Sequence, residues 1–351
     1  MVNESNRMGL SPRAAGYVQP AEWDAHRTCF TAWPAHEYAW GPHPHLQAAQ
    51  REFVAFVRAF VGHEAQESIT LLVDAEHMAQ ARAALPDMRD RVVFECLPYG
   101  DIWLRDTGPV FLKGAAGIAS VRFRWNGWGH KFIYPHDAEL SARIAALQNH
   151  PDFSCDFVLE GGAVEVDGQG TCLTTRSCLQ NPNRDAADER TTEERLLDAL
   201  GVTKTIWLET GLANDHTDGH IDNVARFVAK GVVVCMEAHD EDDPNRATLE
   251  AIAQRLHNAD DATGQRLRVV RIPSPGRILG ADGLVAPASY MNFYVGNARV
   301  LMPAFGSRWD GPAREALQAL FPRHEVVASS ARAILEGGGT FHCMTQQEPL
   351  P

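Results

Sequence analysis

Apolar and polar positions along the chain recur in a fixed order: two short apolar runs around a glycine turn, an amphipathic helix, and a third apolar run. Val164-Glu165-Val166 and Cys172-Leu173-Thr174 flank Asp167-Gly168-Gln169-Gly170, which predicts a hairpin. A helix is then expected to open at Thr191 or Thr192, with glutamates just inside, and to stop at Leu200 before Gly201. Residues 205–208 follow as a buried strand. The order repeats with strands at 224–228 and 232–236, a helix near 244–257 and a strand at 267–272. It repeats again at 292–295, 300–302, 312–320 and 325–327, and upstream at 110–112, 118–124, 137–147 and 155–159.

The N-terminal stretch supplies a looser fifth unit. Phe53, Phe56, Val57, Phe60 and Val61 share one helical face, and strands are predicted at 69–73 and 92–97 with an added helix near 75–85. Five strand–strand–helix–strand units predict an α/β repeat architecture, with units packed radially like blades. A generic mixed sheet is the alternative.

Composition narrows the class. With 351 residues and 45% hydrophobic content, the chain can bury a large core. Thirty-two basic against 45 acidic residues give a net charge of -13, which argues against nucleic acid or an anionic membrane as partner. A small cationic substrate is compatible with it. Seven scattered cysteines (29, 96, 155, 172, 178, 235, 343) without a C-x-x-C pair predict a reducing compartment and no structural zinc. No apolar run is long enough to span a membrane, and the first 19 residues lack a signal-peptide core, so a cytoplasmic location is expected. Residues 1–18 are expected to be a flexible segment and 19–351 one domain, with homo-oligomer formation left open.

The unusual polar segments fall at equivalent places, before each unit's first hairpin strand. Asp106, Glu160, His220, Asn292 and Cys343 mark them. In a radial fold these segments converge on one central site. Cys343 follows three glycines and His342, a setting that suits a nucleophile with close backbone approach. His220-Ile221-Asp222 reads as the start of a strand, which would put His220 and Asp222 on one face as base and carboxylate. The same residue types could bind zinc, but no short-range ligand pair such as H-x-x-x-H accompanies them, and no metal or other cofactor is expected. Asp106, Glu160 and Asp222 together would carry raised pKa values unless a cation were bound. A planar guanidinium satisfies them through forked hydrogen bonds, with Trp103 offering a flat face.

These residues resemble a known family. Pro20-Ala21-Glu22-Trp23, Ala32-Trp33-Pro34, Trp103-Leu104-Arg105-Asp106-Thr107-Gly108-Pro109, Glu160-Gly161-Gly162, Asp218-Gly219-His220-Ile221-Asp222-Asn223 and residues 337–347 (GGGTFHCMTQQ) are similar to the agmatine deiminase and bacterial peptidyl-arginine deiminase family. The resemblance implies the five-bladed α/β propeller called a pentein, built of ββαβ units around a central site. It also implies hydrolysis of agmatine to N-carbamoylputrescine and ammonia, as in putrescine biosynthesis. In that pattern Cys343 attacks the guanidinium carbon, His220 shuttles the proton, and Asp106 and Asp222 hold the guanidinium. Glu160, Trp103 and Asn292 stand at the substrate.

Two departures bear on the substrate's far end. His130 stands where the family commonly has glycine, and residues 180–185 (QNPNRD) alter an Asn/Arg-rich signature. Free arginine, peptidyl-arginine or another guanidine is the alternative substrate. Amidino transfer to an amine, or a non-enzymatic guanidine- or metal-binding protein, are the alternative functions.

Overall fold

The structure is a computed structural model that describes residues 10–41, 45–61, 67–88, 90–185 and 187–351. Residues 1–9 of the expected flexible segment lie outside these. That segment's last two residues, Tyr17–Val18, form a strand against Val110–Gly114.

The described residues form five sheets of three or four strands. Four of them repeat one rule: an antiparallel hairpin, then a helical crossover to a parallel third strand. Val110–Gly114, Gly117–Arg124 and Asp152–Val158 make the first, with the helix Asp137–Gln148 between the last two. Glu165–Val166, Thr171–Thr175 and Lys204–Leu208 make the second, around the helix Glu189–Leu200. Ala225–Ala229, Val232–Glu237 and Arg268–Pro273 make the third, around Arg246–His257. Tyr294–Val295, Arg299–Ala304 and Glu325–Ser330 make the fourth, around Asp310–Leu320.

The loose N-terminal unit is completed from the far end of the chain. His26–Ala32, Ser68–Val73 and Val92–Cys96 run parallel, and Gln346–Pro349 pairs antiparallel with His26–Ala32 as the missing hairpin strand. The sequence order hides this partner because over 300 residues separate the two strands. The helix His45–Val61 buries Phe53, Phe56, Val57, Phe60 and Val61, the face its periodicity predicts.

Two local expectations are corrected. The helix Glu189–Leu200 opens two residues before the nearer expected start, because Asp188 caps it by accepting the Thr191 backbone N–H at 2.8 Å. Residues 220–222 do not begin a strand: Ile221–Asn223 is a 3₁₀ turn, and the strand starts at Ala225. Tightening the chain there lets His220 and Asp222 both face inward.

The segments leading into the five first hairpin strands touch in cyclic order. Gly162 N donates to Asp106 Oδ1 at 2.9 Å, and Asn292 Nδ2 donates to Asp222 Oδ2 at 3.2 Å and to Cys343 Sγ at 3.0 Å. Arg105 N donates to Cys343 O at 3.1 Å. The remaining junction is a glycine contact: a Cβ on Gly162 would stand 2.6 Å from His220 Nδ1.

Outside that ring, Arg226 is wholly buried and joins four parts of the chain. It donates to Glu22 Oε2 at 2.7 Å, to Glu165 Oε2 at 2.8 Å, and to the carbonyls of Met291 at 3.2 Å and Phe293 at 2.8 Å. Its guanidinium also lies 4.7 Å from the centre of the Phe293 ring. Glu22 carries the N-terminal motif into this cluster. Among the described residues, no helix is long and apolar enough to cross a membrane.

Replacing Arg226 leaves two buried carboxylates without their cation, a loss of about 3–5 kcal/mol. Arg226→Met is therefore expected to lower the urea unfolding midpoint sharply, whereas Arg190→Met, at a mostly exposed side chain, is expected to leave it nearly unchanged.

Candidate active site

Three of the five lead-in segments open onto a cavity of about 110 Å³, lined by Trp103, Asp106, Trp128, Phe132, Tyr134, His216 and Cys343 among others, with residues 337–339 on one side; His220 and Asp222 are buried outside its lining. The three glycines are explained by what they approach. A Cβ on Gly337 would meet the Trp40 and Trp103 rings at 2.7–3.0 Å, and one on Gly339 would stand 2.9 Å from Cys343 Cβ and from Trp103. Gly162 has the same constraint toward the carboxylates: its Cβ would lie 3.0 Å from Asp106 Oδ1 and 3.1 Å from Asp222 Oδ2.

Cys343 sits at the cavity floor, 5% exposed. Asn292 holds it from two sides, accepting the Cys343 backbone N–H at 3.2 Å and donating to Sγ at 3.0 Å. The Asn292 amide oxygen also accepts from Thr340 Oγ1 at 2.7 Å, so its orientation is fixed. Asn292 thus touches the thiol and does not line the cavity. Sγ lies 3.6 Å from Asp222 Oδ2. Burial, then the charges of Asp222 and Asp106, push the Cys343 thiol well above its ordinary pKa.

The carboxylates divide by their neighbours. Asp106 accepts Trp128 Nε1–H at 2.8 Å and Gly162 N–H, yet burial and the charges of Asp222 and Glu160 raise its pKa well above normal. Glu160 is fully buried behind the cavity, with Oε1 accepting from Arg184 Nε at 2.6 Å and Oε2 unpartnered. Burial raises its pKa despite Arg184. Asp222 departs from the expectation that all three are raised. Burial pushes it up, but the hydrogen bond and charge of His342 outweigh that and hold it below the usual carboxylate range. His342 lies between two carboxylates, Nδ1 2.7 Å from Asp222 Oδ2 and Nε2 2.7 Å from Glu22 Oε2. Asp222 Oδ1 remains buried and unpartnered.

His220 is fully buried, with neither ring nitrogen hydrogen-bonded and Nδ1 3.8 Å from Asp106 Oδ2. Burial depresses its pKa to about 3, so the ring is neutral in the ligand-free protein. Its backbone N–H is anchored by Thr217 Oγ1 at 3.0 Å. Trp103 stands in the wall, its Nε1–H donated to Asp101 Oδ2 at 2.8 Å and its ring packed on Trp40. Glu160, Cys178 and His220 offer metal-ligand atoms within 4.8 Å of one another, but the Arg184 guanidinium already supplies the cation for Glu160.

The two sequence departures meet in space. Gly129 packs so tightly that a Cβ would strike Asn183 and Arg184, and Asn126 Nδ2 donates to Asn183 O at 2.7 Å. His130 has a φ of 67°, a backbone shape glycine takes freely and other residues only at some cost. Sequence reasoning missed Glu22, Trp128 and His342 as supports of the site. Glu22 stood in a quoted motif, but its partners Arg226 and His342 lie in other units, and Trp128 meets Asp106 across its own unit.

Comparison with known proteins follows this geometry. Residues 18–349 match the family described as Porphyromonas-type peptidyl-arginine deiminase. The agmatine deiminase of Stutzerimonas stutzeri (strain A1501) is 38% identical over 366 residues, spanning 97% of this chain and 98% of its own. A solved agmatine deiminase of Enterococcus faecalis superposes with a TM-score of 0.91 at 29% identity, covering 98% of both chains. A dimethylarginine dimethylaminohydrolase structure, at 15% identity and a TM-score of 0.53, covers 92% of this chain and 99% of its own and shares the fold alone. The fold is an α/β pentein.

Two acidic neighbours that raise the thiol's pKa give the site a testable reactivity. Alkylation of Cys343 by neutral iodoacetamide, followed by peptide mass mapping, is expected to be slow at neutral pH and still rising above pH 9. A cationic chloroacetamidine is expected to react at least about tenfold faster at neutral pH, since its charge offsets Asp106 and Asp222.

Proposed function

The chain belongs to the Porphyromonas-type peptidyl-arginine deiminase family, and on that footing we propose that it is an agmatine deiminase, a hydrolase of C–N bonds in linear amidines. The observation that carries the reading is a buried thiol in the wall of a narrow cavity, an ionised carboxylate with one oxygen unpartnered and the other 3.6 Å from that thiol, and a neutral imidazole buried beside Asp106. A bound cation relieves the charge there.

In the proposed reaction the guanidinium enters with Trp103 along its flat side and donates N–H groups to Asp106 and Asp222 Oδ1. Its positive charge lowers the thiol pKa, and the thiol proton passes to His220. Sγ attacks the guanidinium carbon, and a tetrahedral adduct forms. His220 returns the proton to the departing nitrogen, which leaves as ammonia with the C–N bond pair. The amidino-cysteine retains the positive charge. His220 next takes a proton from water as the oxygen attacks the same carbon; the C–S bond breaks with its pair on sulfur, the adduct's hydroxyl proton passes to sulfur to restore the thiol and release N-carbamoylputrescine, and His220 gives its proton to solvent. Asn292 acts here by positioning Sγ, and Glu160 by holding Arg184 behind His220.

The five sheets are taken as five blades of one propeller, supported by the cyclic contact of their lead-in segments. Residues 19–351 then form one domain. The small, aromatic-walled cavity suits a free guanidine, and the net charge of -13 fits an enzyme acting on a small cation; the scattered cysteines support a cytoplasmic location.

Ammonia release measured across agmatine, arginine and a peptidyl-arginine tests the substrate. Turnover of agmatine with little of the others is expected; turnover of arginine with none of agmatine overturns the assignment. Cys343→Ala is expected to lose turnover by about 10³-fold or more while still binding agmatine by calorimetry. Asp106→Asn is expected to weaken that binding at least about tenfold by removing one of the two carboxylates that grip the guanidinium.

A further inference from the structure

Outside the catalytic cavity, His36, Asp74 and His77 bring three metal-ligating side chains together. Each offers one ligand atom, and all three atoms lie within 4.8 Å of one another. A first-row cation bound at about 2.0–2.2 Å needs its tetrahedral ligands roughly 3.3–3.6 Å apart, so small side-chain shifts suffice. His36 Nε2 lies 2.9 Å from Asp74 Oδ2 and 3.1 Å from Tyr99 O, so this pair opens slightly and the cation displaces the carbonyl contact. The His36 and His77 rings meet edge to face, 5.7 Å between centres. His77 Nδ1 is buried with no hydrogen-bond partner, the Glu76 carboxylate standing at 3.8 Å. The three side chains are largely buried, with His77 the most exposed of them at 25%.

The donor set favours a transition metal. Two imidazoles and one carboxylate suit zinc, cobalt or nickel, whereas calcium and magnesium prefer oxygen throughout. Tyr38 stacks flat on His36 with ring centres 4.8 Å apart. No spacing signal could reveal the site, since His36 comes from a segment far from Asp74 and His77 in the chain.

The position gives such a site a consequence. From His36 the chain runs through Tyr38, whose ring packs on Tyr134 of the cavity wall, to Ala39, also in that wall, and to Trp40, which packs on Trp103. We propose that His36, Asp74 and His77 bind one divalent transition-metal cation of the zinc class, which braces residues 36–40 against the substrate cavity.

The full chain, freed of metal with a chelator, is titrated with Co²⁺ by visible absorption and with Zn²⁺ by calorimetry. One equivalent is expected to bind and to slow amide hydrogen exchange at residues 36–40. His77→Ala and Asp74→Asn are each expected to lose at least tenfold in affinity, and Cys343→Ala to bind as the wild type does. If His77→Ala loses its fold, as read by circular dichroism, His77→Gln gives the same reading. Absence of stoichiometric binding, binding unchanged in the His77 variant, binding lost in Cys343→Ala, or unchanged exchange at 36–40 overturns the proposal.

Discussion

Everything at the centre of this molecule hangs on a buried line of polar side chains joined by hydrogen bonds: Arg226, Glu22, His342 and Asp222. Arg226 draws Glu22 inward, Glu22 holds one ring nitrogen of His342, and the other ring nitrogen holds Asp222. Burial alone would neutralise both carboxylates, as it tends to for any isolated acid in a dry interior. Each is kept below its ordinary pKa because a cationic or hydrogen-bonding neighbour outweighs burial. The line joins two of the five units through the N-terminal segment, so the charge on Asp222 depends on contacts between parts far apart in the chain.

The site is left with one missing charge. Asp222 stays ionised, Asp106 resists ionisation, and the Cys343 thiol resists losing its proton. A bound cation favours the charged form of all three at once. In the proposed reaction the free protein therefore keeps its nucleophile dormant, and the ligand to be attacked is the agent that activates it. A neutral molecule of similar shape would not supply this change, so selectivity would operate on reactivity as well as on binding.

Much of this was legible in sequence because each of four units is local: its hairpin, helix and third strand are continuous in the chain. Hydrophobic period and glycine turns suffice for such units, and their boundaries fall close to those observed. The fifth was only half legible, since its hairpin strand Gln346–Pro349 lies at the opposite end. Cys343, His220, Asp106 and Asp222 were brought together by their equivalent places in the repeat. The 3₁₀ turn at Ile221–Asn223 was not legible, because a histidine and an aspartate two apart look the same in a strand. Nor was the low pKa of Asp222, set by His342 from another unit. Glu22 sat within a recognisable motif whose partner is 204 residues away, and Trp128 reaches Asp106 across 22 residues.

The order of the five lead-in segments along the chain has a consequence for biosynthesis. Cys343 is the last of them to leave the ribosome, after Asp106, Glu160, His220, Asp222 and Asn292 have been made. The strand that follows it must then find His26–Ala32, made some 300 residues earlier, a pairing of great sequence separation and correspondingly slow closure. Until that late step, a nascent chain holds the other parts of the site without Cys343 in its place. On the proposed reading, catalytic competence thus arises in one event, when Gln346–Pro349 meets His26–Ala32.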